Sequence, residues 1–340
     1  MSTREQVKDL WKLCFDDEDD FVDMYFNLRY ADEGNIAIRS DNRVISALQM
    51  IPYPMTFCGT SIQTSYISGA CTHPDYRKRG IMCQLLSQAF TRMYSDGVFI
   101  STLIPAKPHL VDYYARMGYA PVFNYSKRIL PSTGIPPTNK RISIERTTEY
   151  QEDIYKYVDR KISQRPCCIQ HTEADFKVVL ADWVLSKGEV FYAIGEEKKV
   201  EGIAIAIAEG DTLYIGELFS ESQEIEHELL RQAAITYGCT RLHITIPPTE
   251  TLEQFPFGMA RIIDAKGILS LFAALHPEIE TDIELEDGFL SSNNGHYCLC
   301  NGKCIAGKSK SQSPPLRLSI NELTEKILSG MQPYMSLMIN

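Results

Sequence analysis

The stretch Ser65-Tyr-Ile-Ser-Gly-Ala-Cys-Thr-His-Pro-Asp-Tyr-Arg-Lys-Arg-Gly-Ile-Met82 decides how the chain reads. Its first half is β-rich and its middle is a basic loop. From Gly80 onward Ile81, Leu85, Leu86, Ala89, Phe90 and Met93 recur on one helical face until the Asp96-Gly97 stop. A strand that feeds a helix through a basic, glycine-ended loop makes an anion site. The helix start exposes backbone N–H groups at the positive end of its dipole, and glycine lets the backbone approach a phosphate closely. Arg77, Lys78 and Arg79 add point charges. The bare pattern R-x-x-G also describes a basic helix cap on a solvated loop, so the flanking elements carry the argument.

Upstream, Val7, Leu10, Trp11 and Cys14 stand at helical spacing over residues 4–14, and the acidic run Asp17–Asp20 leads into a second helix bearing Phe21, Met24 and Tyr25. From Asn35 short β-rich runs alternate with turns at Asp41-Asn42 and Cys58-Gly59, which predicts an antiparallel meander. Downstream, VFISTLIP reads as an apolar strand. A short helix from Pro108 to about Met117, a break at Gly118 and the strand YAPVFNYSKRIL follow.

This arrangement resembles the GNAT N-acetyltransferase superfamily. Arg77 and Gly80 match the first two fixed positions of the family's R/Q-x-x-G-x-G/A loop, and Met82 departs from its small final residue. The resemblance implies acetyl-CoA as co-substrate, held by Gly69, Ala70, Cys71 and Thr72 of the strand and by Arg77, Lys78, Arg79, Gly80, Ile81 and Met82 of the loop and helix start. It implies that Tyr114, in Tyr114-Ala-Arg-Met-Gly-Tyr119, protonates the departing sulfur, with its neighbour Tyr113 as the alternative. A backbone N–H of Gly69–Cys71 then donates to the thioester oxygen. Taken without the family, Tyr114 reads as a ring packed into a core. Cys71 has no sequence neighbour to activate it as a nucleophile, and His73, before Pro74, reads as a turn residue.

The stretch PSTGIPPTNK, residues 131–140, reads as a linker. Residues 141–256 repeat the order of two helices, three strands, a helix and a strand. After TLYIGELFS, however, the sequence is Glu221-Ser-Gln-Glu-Ile-Glu226, whose carboxylates repel a pyrophosphate. From Met259 a third pattern runs through ARIID, AKGILSLFAAL and DIELEDGFL to the hairpin HYCLC-Asn301-Gly302-KCIAG, then a capping box at Ser319 and Glu322, and ends in the apolar MQPYMSLMIN.

The full layout resembles the enhanced-intracellular-survival (Eis) type of multidomain acetyltransferase. That implies a mixed α/β (α+β) fold of tandem GNAT folds, each a mixed central sheet flanked by helices, plus a C-terminal sterol-carrier-like α/β domain. The implied boundaries are 1–130 catalytic, 131–140 linker, 141–257 degenerate GNAT-like and 258–340 sterol-carrier-like, with one acetyl-CoA site per chain. In that family the C-terminal α-carboxylate, here that of Asn340, serves as general base for the amine, and the chains assemble into homo-oligomers. A small polycationic amine such as an aminoglycoside is the expected acceptor. Lysine side chains or protein N-termini, and a non-catalytic protein binding acetyl-CoA or an apolar ligand, are the competing readings.

Composition sets outer bounds. The 340 residues, 44% hydrophobic and 23% charged, suit a folded protein of two or three domains. The formal charge of -10 disfavours nucleic acid as a partner and suits cationic substrates. The first twenty residues lack a signal-peptide core, no apolar run is long enough to cross a membrane, and the ten scattered cysteines fit reduced cytoplasmic thiols. Cys298, Cys300 and Cys304 with His296 could ligate zinc, but strand alternation explains the first two as small apolar residues on one face, so no metal is expected.

Overall fold

The computed structural model describes residues 1–138, 142–195, 198–307 and 314–339. In chain order it contains α1 (Thr3–Cys14), α2 (Asp19–Leu28), β1 (Asn35–Ser40), β2 (Arg43–Phe57), β3 (Thr60–Thr72), α3 (Ile81–Ser95), β4 (Ile100–Leu103), α4 (Leu110–Ala115) and β5 (Ala120–Pro131). Next come β6 (Ser143–Thr147), α5 (Glu152–Ser163), β7 (Cys168–Ile169), α6 (Glu173–Leu185), β8 (Glu189–Ile194), β9 (Val200–Glu209), β10 (Thr212–Ser220), α7 (Gln223–Tyr237) and β11 (Arg241–Ile246). The chain closes with β12 (Gln254–Ile262), α8 (Ala265–Leu275), β13 (Thr281–Glu286), β14 (Gly295–Cys300), β15 (Lys303–Ala306), β16 (Leu316–Ser319) and α9 (Ile320–Leu328).

These elements form two compact units, one of residues 1–123 and 257–333, the other of residues 124–256 and 334–339. In the first, the strands run in the order β1-β2-β3-β4-β12, antiparallel except where β3 meets β4 in parallel. Helix α3 lays Leu85, Leu86, Ala89, Phe90 and Met93 against Leu48, Met50 and Ile67 of the sheet, the stripe its 3.6-residue period dictates. The other face is covered by α1, whose capping box joins Ser2 and Glu5, and by α2; both bury aromatic rings, Trp11, Tyr25 and Phe26 among them. The same unit holds a four-stranded sheet in the order β15-β14-β13-β16. Asn301 and Gly302 take positive φ at its hairpin turn, as a type I′ turn requires.

Within this unit Arg261 and Asp287, both side chains fully buried, form an ion pair in which Arg261 Nη2 donates to both carboxylate oxygens, at 2.7 and 2.8 Å. The guanidinium also lies over the Phe90 ring, 4.4 Å from its centroid. Although burial opposes ionisation, Arg261 and the hydrogen bonds from Asn293 and Phe289 hold the Asp287 carboxyl below the usual carboxylate range.

The second unit orders its strands β5-β11-β10-β9-β8-β6, with β10 and β11 parallel. Each sheet is completed by a strand from elsewhere in the sequence. Ser126–Pro131 of β5 pair with β11, and Met259–Ile262 of β12 pair with β4. In the stretch 131–140, read from the sequence as a linker, Ser132 donates its N–H to Thr240 O at 2.8 Å and Ile135 is buried, while Asn139 and Lys140 lie outside the described residues.

The apolar C-terminal segment docks in the second unit. Tyr334 N–H donates to Cys167 O at 2.9 Å, Ile169 N–H donates to Tyr334 O at 3.1 Å, and His171 Nε2 bonds Ser336 O at 2.9 Å. Tyr334, Met335, Leu337 and Ile339 are buried there, so the apolar end of the sequence is tied down as its composition suggests. Asn340 itself lies outside the described residues.

Candidate functional site

The site is built on β3. Its pairing with β2 runs in register from Phe57–Thr60 to Gln49–Ser68, then slips, so that Gly69 and Ala70 stand opposite Leu48 alone before Ala47–Cys71 resumes the ladder. This β-bulge requires a left-handed residue, and Gly69 supplies it at φ +59. It must also be glycine for room, since a Cβ there would collide with the Trp11 ring of α1.

The parallel pairing of β3 with β4 covers Thr64–Ile100, Ser65–Ser101 and Tyr66–Thr102 and then ends, although β3 continues to Thr72. The two strands therefore part where the bulge turns the backbone of Gly69–Cys71. Such a parting leaves strand edge groups available to an extended ligand.

Beyond Thr72, His73 is buried and caps a short 3-10 turn, its Nδ1 accepting from Asp75 N–H at 3.3 Å, with Arg43 Nη2 3.0 Å from Nε2. It holds a turn, as its place before Pro74 suggests. Lys78 and Gly80 both adopt positive φ, and Gly80 at φ +76 is the helix N-cap. A Cβ at Gly80 would meet nothing within 4 Å.

The first intrahelical bond of α3 is Gln84 N–H to Gly80 O at 3.0 Å, so the N–H groups of Ile81, Met82 and Cys83 precede the helical ladder, and no side chain caps them. Arg77, Lys78 and Arg79 are all exposed around this start. Arg77 is anchored, its Nε donating to Thr72 O at 3.0 Å and its Nη2 to Cys14 Sγ at 3.7 Å, and Arg79 lies over the Tyr76 ring. Met82 turns into the core beside α3, so its bulk does not obstruct the helix start.

Tyr114 comes from α4. Its ring packs edge-on to Tyr113 and Tyr119, and it belongs with Ile67 and Leu86 to one apolar cluster. Burial, followed by the repulsion of Tyr113, pushes its phenol up to about 12. Such a group keeps its proton throughout the physiological range and can donate it but not act as a base. Tyr113 is shifted upward too, also by burial. Tyr66, buried on β3, was not singled out from the sequence. Only its place at the last β3–β4 pair, where the strands begin to part, gives it interest. A cleft of about 470 Å³ alongside has Met50, Ile51 and Pro52 of β2 in its wall, with Ser65 of β3.

The second unit repeats the scaffold and closes it. The β9–β10 ladder slips at Gly216, and a Cβ there would collide with the Trp183 ring of α6, the counterpart of Trp11 on Gly69. The β10–β11 pairing stops at Ile215–Ile244 while β10 runs on to Ser220. Yet the following helix starts at Ser222, whose Oγ accepts from Ile225 N–H at 3.3 Å, with Glu224 and Glu226 in its first turn. Glu221 is engaged by Arg160 and Lys161 at 2.8 and 3.0 Å. After the bulge, where the first unit has Ala70, stands Glu217, 1% exposed and bidentate to Arg165 at 2.9 and 3.3 Å.

Among the described residues no group of three or more His, Cys, Asp and Glu side chains is arranged to hold a metal ion, and no helix is long and apolar enough to cross a membrane. Residues 2–122 match the family profile of the acetyltransferase (GNAT) domain. No curated protein sequence matches the chain. Among solved structures, a probable N-acyltransferase from Enterococcus faecalis superposes with a TM-score of 0.75 at 16% identity, covering 95% of this chain and 86% of its own. A GCN5-related N-acetyltransferase from Kribbella flavida gives 0.74 at 16%, covering 99% and 95%. Eis1 from Mycobacterium abscessus gives 0.73 at 11%, covering 97% and 88%. Residues 2–122 thus match the GNAT acetyltransferase domain, and the chain shares the overall fold of these three solved structures, Eis1 among them.

Proposed function

We propose that the protein is an acetyl-CoA-dependent N-acetyltransferase that moves an acetyl group directly to a primary amine. The observation that carries this reading is the cradle of the first unit: strands parting beside the Gly69 bulge, then an uncapped helix start at Gly80 ringed by Arg77, Lys78 and Arg79. These residues fit a pyrophosphate and an extended thiol arm. Free N–H groups and cations favour the first, and the unpaired strand edge favours the second.

Bound acetyl-CoA would supply an activated thioester. The chain's own part is to hold and orient it: Arg77, Lys78, Arg79 and the N–H groups of Gly80, Ile81 and Met82 hold the phosphates, and Gly69, Ala70, Cys71 and Thr72 line the arm and offer N–H groups to the thioester oxygen. Tyr114 keeps a proton for the departing sulfur. The α-carboxylate of Asn340 takes the proton of the acceptor amine, the role that the family resemblance implies for it.

A polycationic small molecule such as an aminoglycoside is the acceptor class in best accord with the charge of -10. A lysine side chain or protein N-terminus is the second reading. We place the enzyme in the cytoplasm, and assign residues 258–340 a sterol-carrier-like scaffolding role. The test is acetyl-CoA-dependent release of free CoA over a panel of aminoglycosides, polyamines, amino acids and lysine peptides. Turnover with one amine class names the acceptor; no turnover with any amine would contradict the reading.

A further inference from the structure

Arg261 of β12 is fully buried, and its guanidinium lies against the turn that ends α4, the helix that carries Tyr114. In the β4–β12 ladder Arg261 stands opposite Ser101. The Ser101 hydroxyl is 2.7 Å from the phenol oxygen of Tyr119, and both residues are buried. The guanidinium lies over the Phe90 ring, whose centroid is 5.9 Å from that of Tyr119, and Tyr119 packs edge-on to Tyr114 at 5.8 Å. A Cβ at Gly118 would collide with Arg261 Nη1, so the guanidinium fills the space that a side chain at position 118 would need.

The turn in question fastens Tyr114 by its own backbone. Tyr114 O accepts from Met117 N–H at 2.9 Å and from Tyr119 N–H at 3.1 Å, and Ala115 O accepts from Gly118 N–H at 3.0 Å. Gly118 adopts φ +88, the left-handed conformation that closes a helix and turns the chain onward into β5. With only six residues, α4 is too short to keep its shape by its own hydrogen bonds, so its end depends on what packs against it.

We propose that Arg261 is a positioning residue for Tyr114: its guanidinium, held by Asp287, braces the Gly118 turn and so fixes where the phenol of Tyr114 sits.

Stability alone does not account for a charge at this place. Arg261 Nη2 donates to both oxygens of Asp287, but Nε and Nη1 have no hydrogen-bond partner among the described residues. Donors buried without partners cost free energy, and a buried ion pair can often be replaced by apolar side chains with no loss of stability. What an apolar side chain could not supply is the shape. The guanidinium is a rigid planar fork, fastened at Nη2 by Asp287, lying over Phe90 and presenting Nη1 to Gly118. Asp287 is itself fixed, accepting from Asn293 Nδ2 at 2.9 Å and from the N–H groups of Phe289 and Leu290 at 2.9 and 3.1 Å. The brace is therefore anchored in the loop between β13 and β14, which gives the segment after β12 a definite task at the site.

The part of Tyr114 as proton donor rests on the function proposed above; the brace does not.

The experiment compares the wild-type full chain with two variants. Arg261→Met/Asp287→Asn removes both charges together, so that neither is left buried alone, and Gly118→Ala meets the guanidinium from the other side. Three quantities are read, each with Tyr114 intact and in the Tyr114→Phe background: amide hydrogen exchange over residues 110–120, acetyl-CoA affinity by calorimetry, and turnover with the amine class that the panel identifies. Exchange of the Met117 and Tyr119 amides should rise by about tenfold or more in both variants while α3 stays protected. Acetyl-CoA affinity should stay within about twofold of wild type, and kcat should fall by about tenfold or more with Tyr114 intact but change by less than about twofold in the Tyr114→Phe background. Unchanged exchange in both variants overturns the brace, and so does loss of protection in α3 as well, which marks general unfolding. An equal fall of kcat in the two backgrounds overturns action through Tyr114, because general destabilisation acts whether or not the phenol is present. A wild-type protein that turns over no amine counts against the proposed function, and the brace is then judged from the exchange arm alone.

Discussion

The two units of this chain carry one scaffold built twice, and they differ where a phosphate would bind. Each has a bulged strand whose glycine, Gly69 or Gly216, receives the face of a tryptophan from a preceding helix, and each lets that strand part from a parallel neighbour. In the first unit the next helix begins at a left-handed glycine with open space around it and no cap. In the second it begins at a serine that satisfies its own helix, among glutamates, and a buried Arg165–Glu217 pair follows the bulge. A GNAT scaffold is therefore no evidence of a cofactor site. The cap and the local charge decide, because a self-capped, acidic helix start offers an anion neither free N–H groups nor attraction.

Substitutions can break this comparison, and the largest effect is expected at the buried ion pairs. Glu217→Leu leaves the Arg165 guanidinium without its carboxylate and should cost about 3–5 kcal/mol of stability, read by urea denaturation. The first unit's Arg261–Asp287 pair adds a pH signature. Because the folded Asp287 carboxyl titrates below its unfolded value, its contribution is complete above about pH 4 and is lost as pH falls through the folded value. Denaturation midpoints taken downward from pH 5 should therefore fall more steeply in wild type than in Asp287→Asn.

Next is Gly80→Asp, which gives the first unit the character of the second. A carboxylate about 4 Å from a phosphate costs a few kcal/mol, so acetyl-CoA affinity should drop by about a hundredfold or more, while the left-handed φ of +76 that Asp must adopt there lowers stability by only about 1 kcal/mol. Unchanged affinity would dissociate the Gly80 start from phosphate binding.

Tyr114→Phe should lower kcat by about a hundredfold and leave the KM for acetyl-CoA near wild type, since the phenol is assigned to proton donation and not to binding. Equal loss in Tyr113→Phe alone would transfer the role. The smallest effect is expected at Ser222→Ala, which removes a helix cap worth about 1 kcal/mol and leaves turnover unchanged.

The N-terminal half of this comparison was legible in the sequence. The helix period after Gly80, the turns at Asp41-Asn42 and Cys58-Gly59, and the hairpin at Asn301-Gly302 all act over a few residues, and the structure places strands and helices between them as expected. The acidic Glu221–Glu226 start was readable for the same reason. What could not be read is what depends on distant pairing. Neither strand pattern reveals that β5 completes one sheet and β12 the other, because alternation specifies a strand's faces and not its neighbours. Trp11 looked like one more apolar position in a helix; only its collision with a Cβ at Gly69 shows why that site is glycine. The contact between Cys14 and Arg77 joins residues 63 positions apart and carries no sequence signal.

The most direct test of the central claim is the stoichiometry of acetyl-CoA binding by isothermal titration calorimetry on the full chain. The account predicts one site per chain, lost in Gly80→Asp and retained in Ser222→Ala. Two sites per chain, or a single site that survives Gly80→Asp, would contradict it.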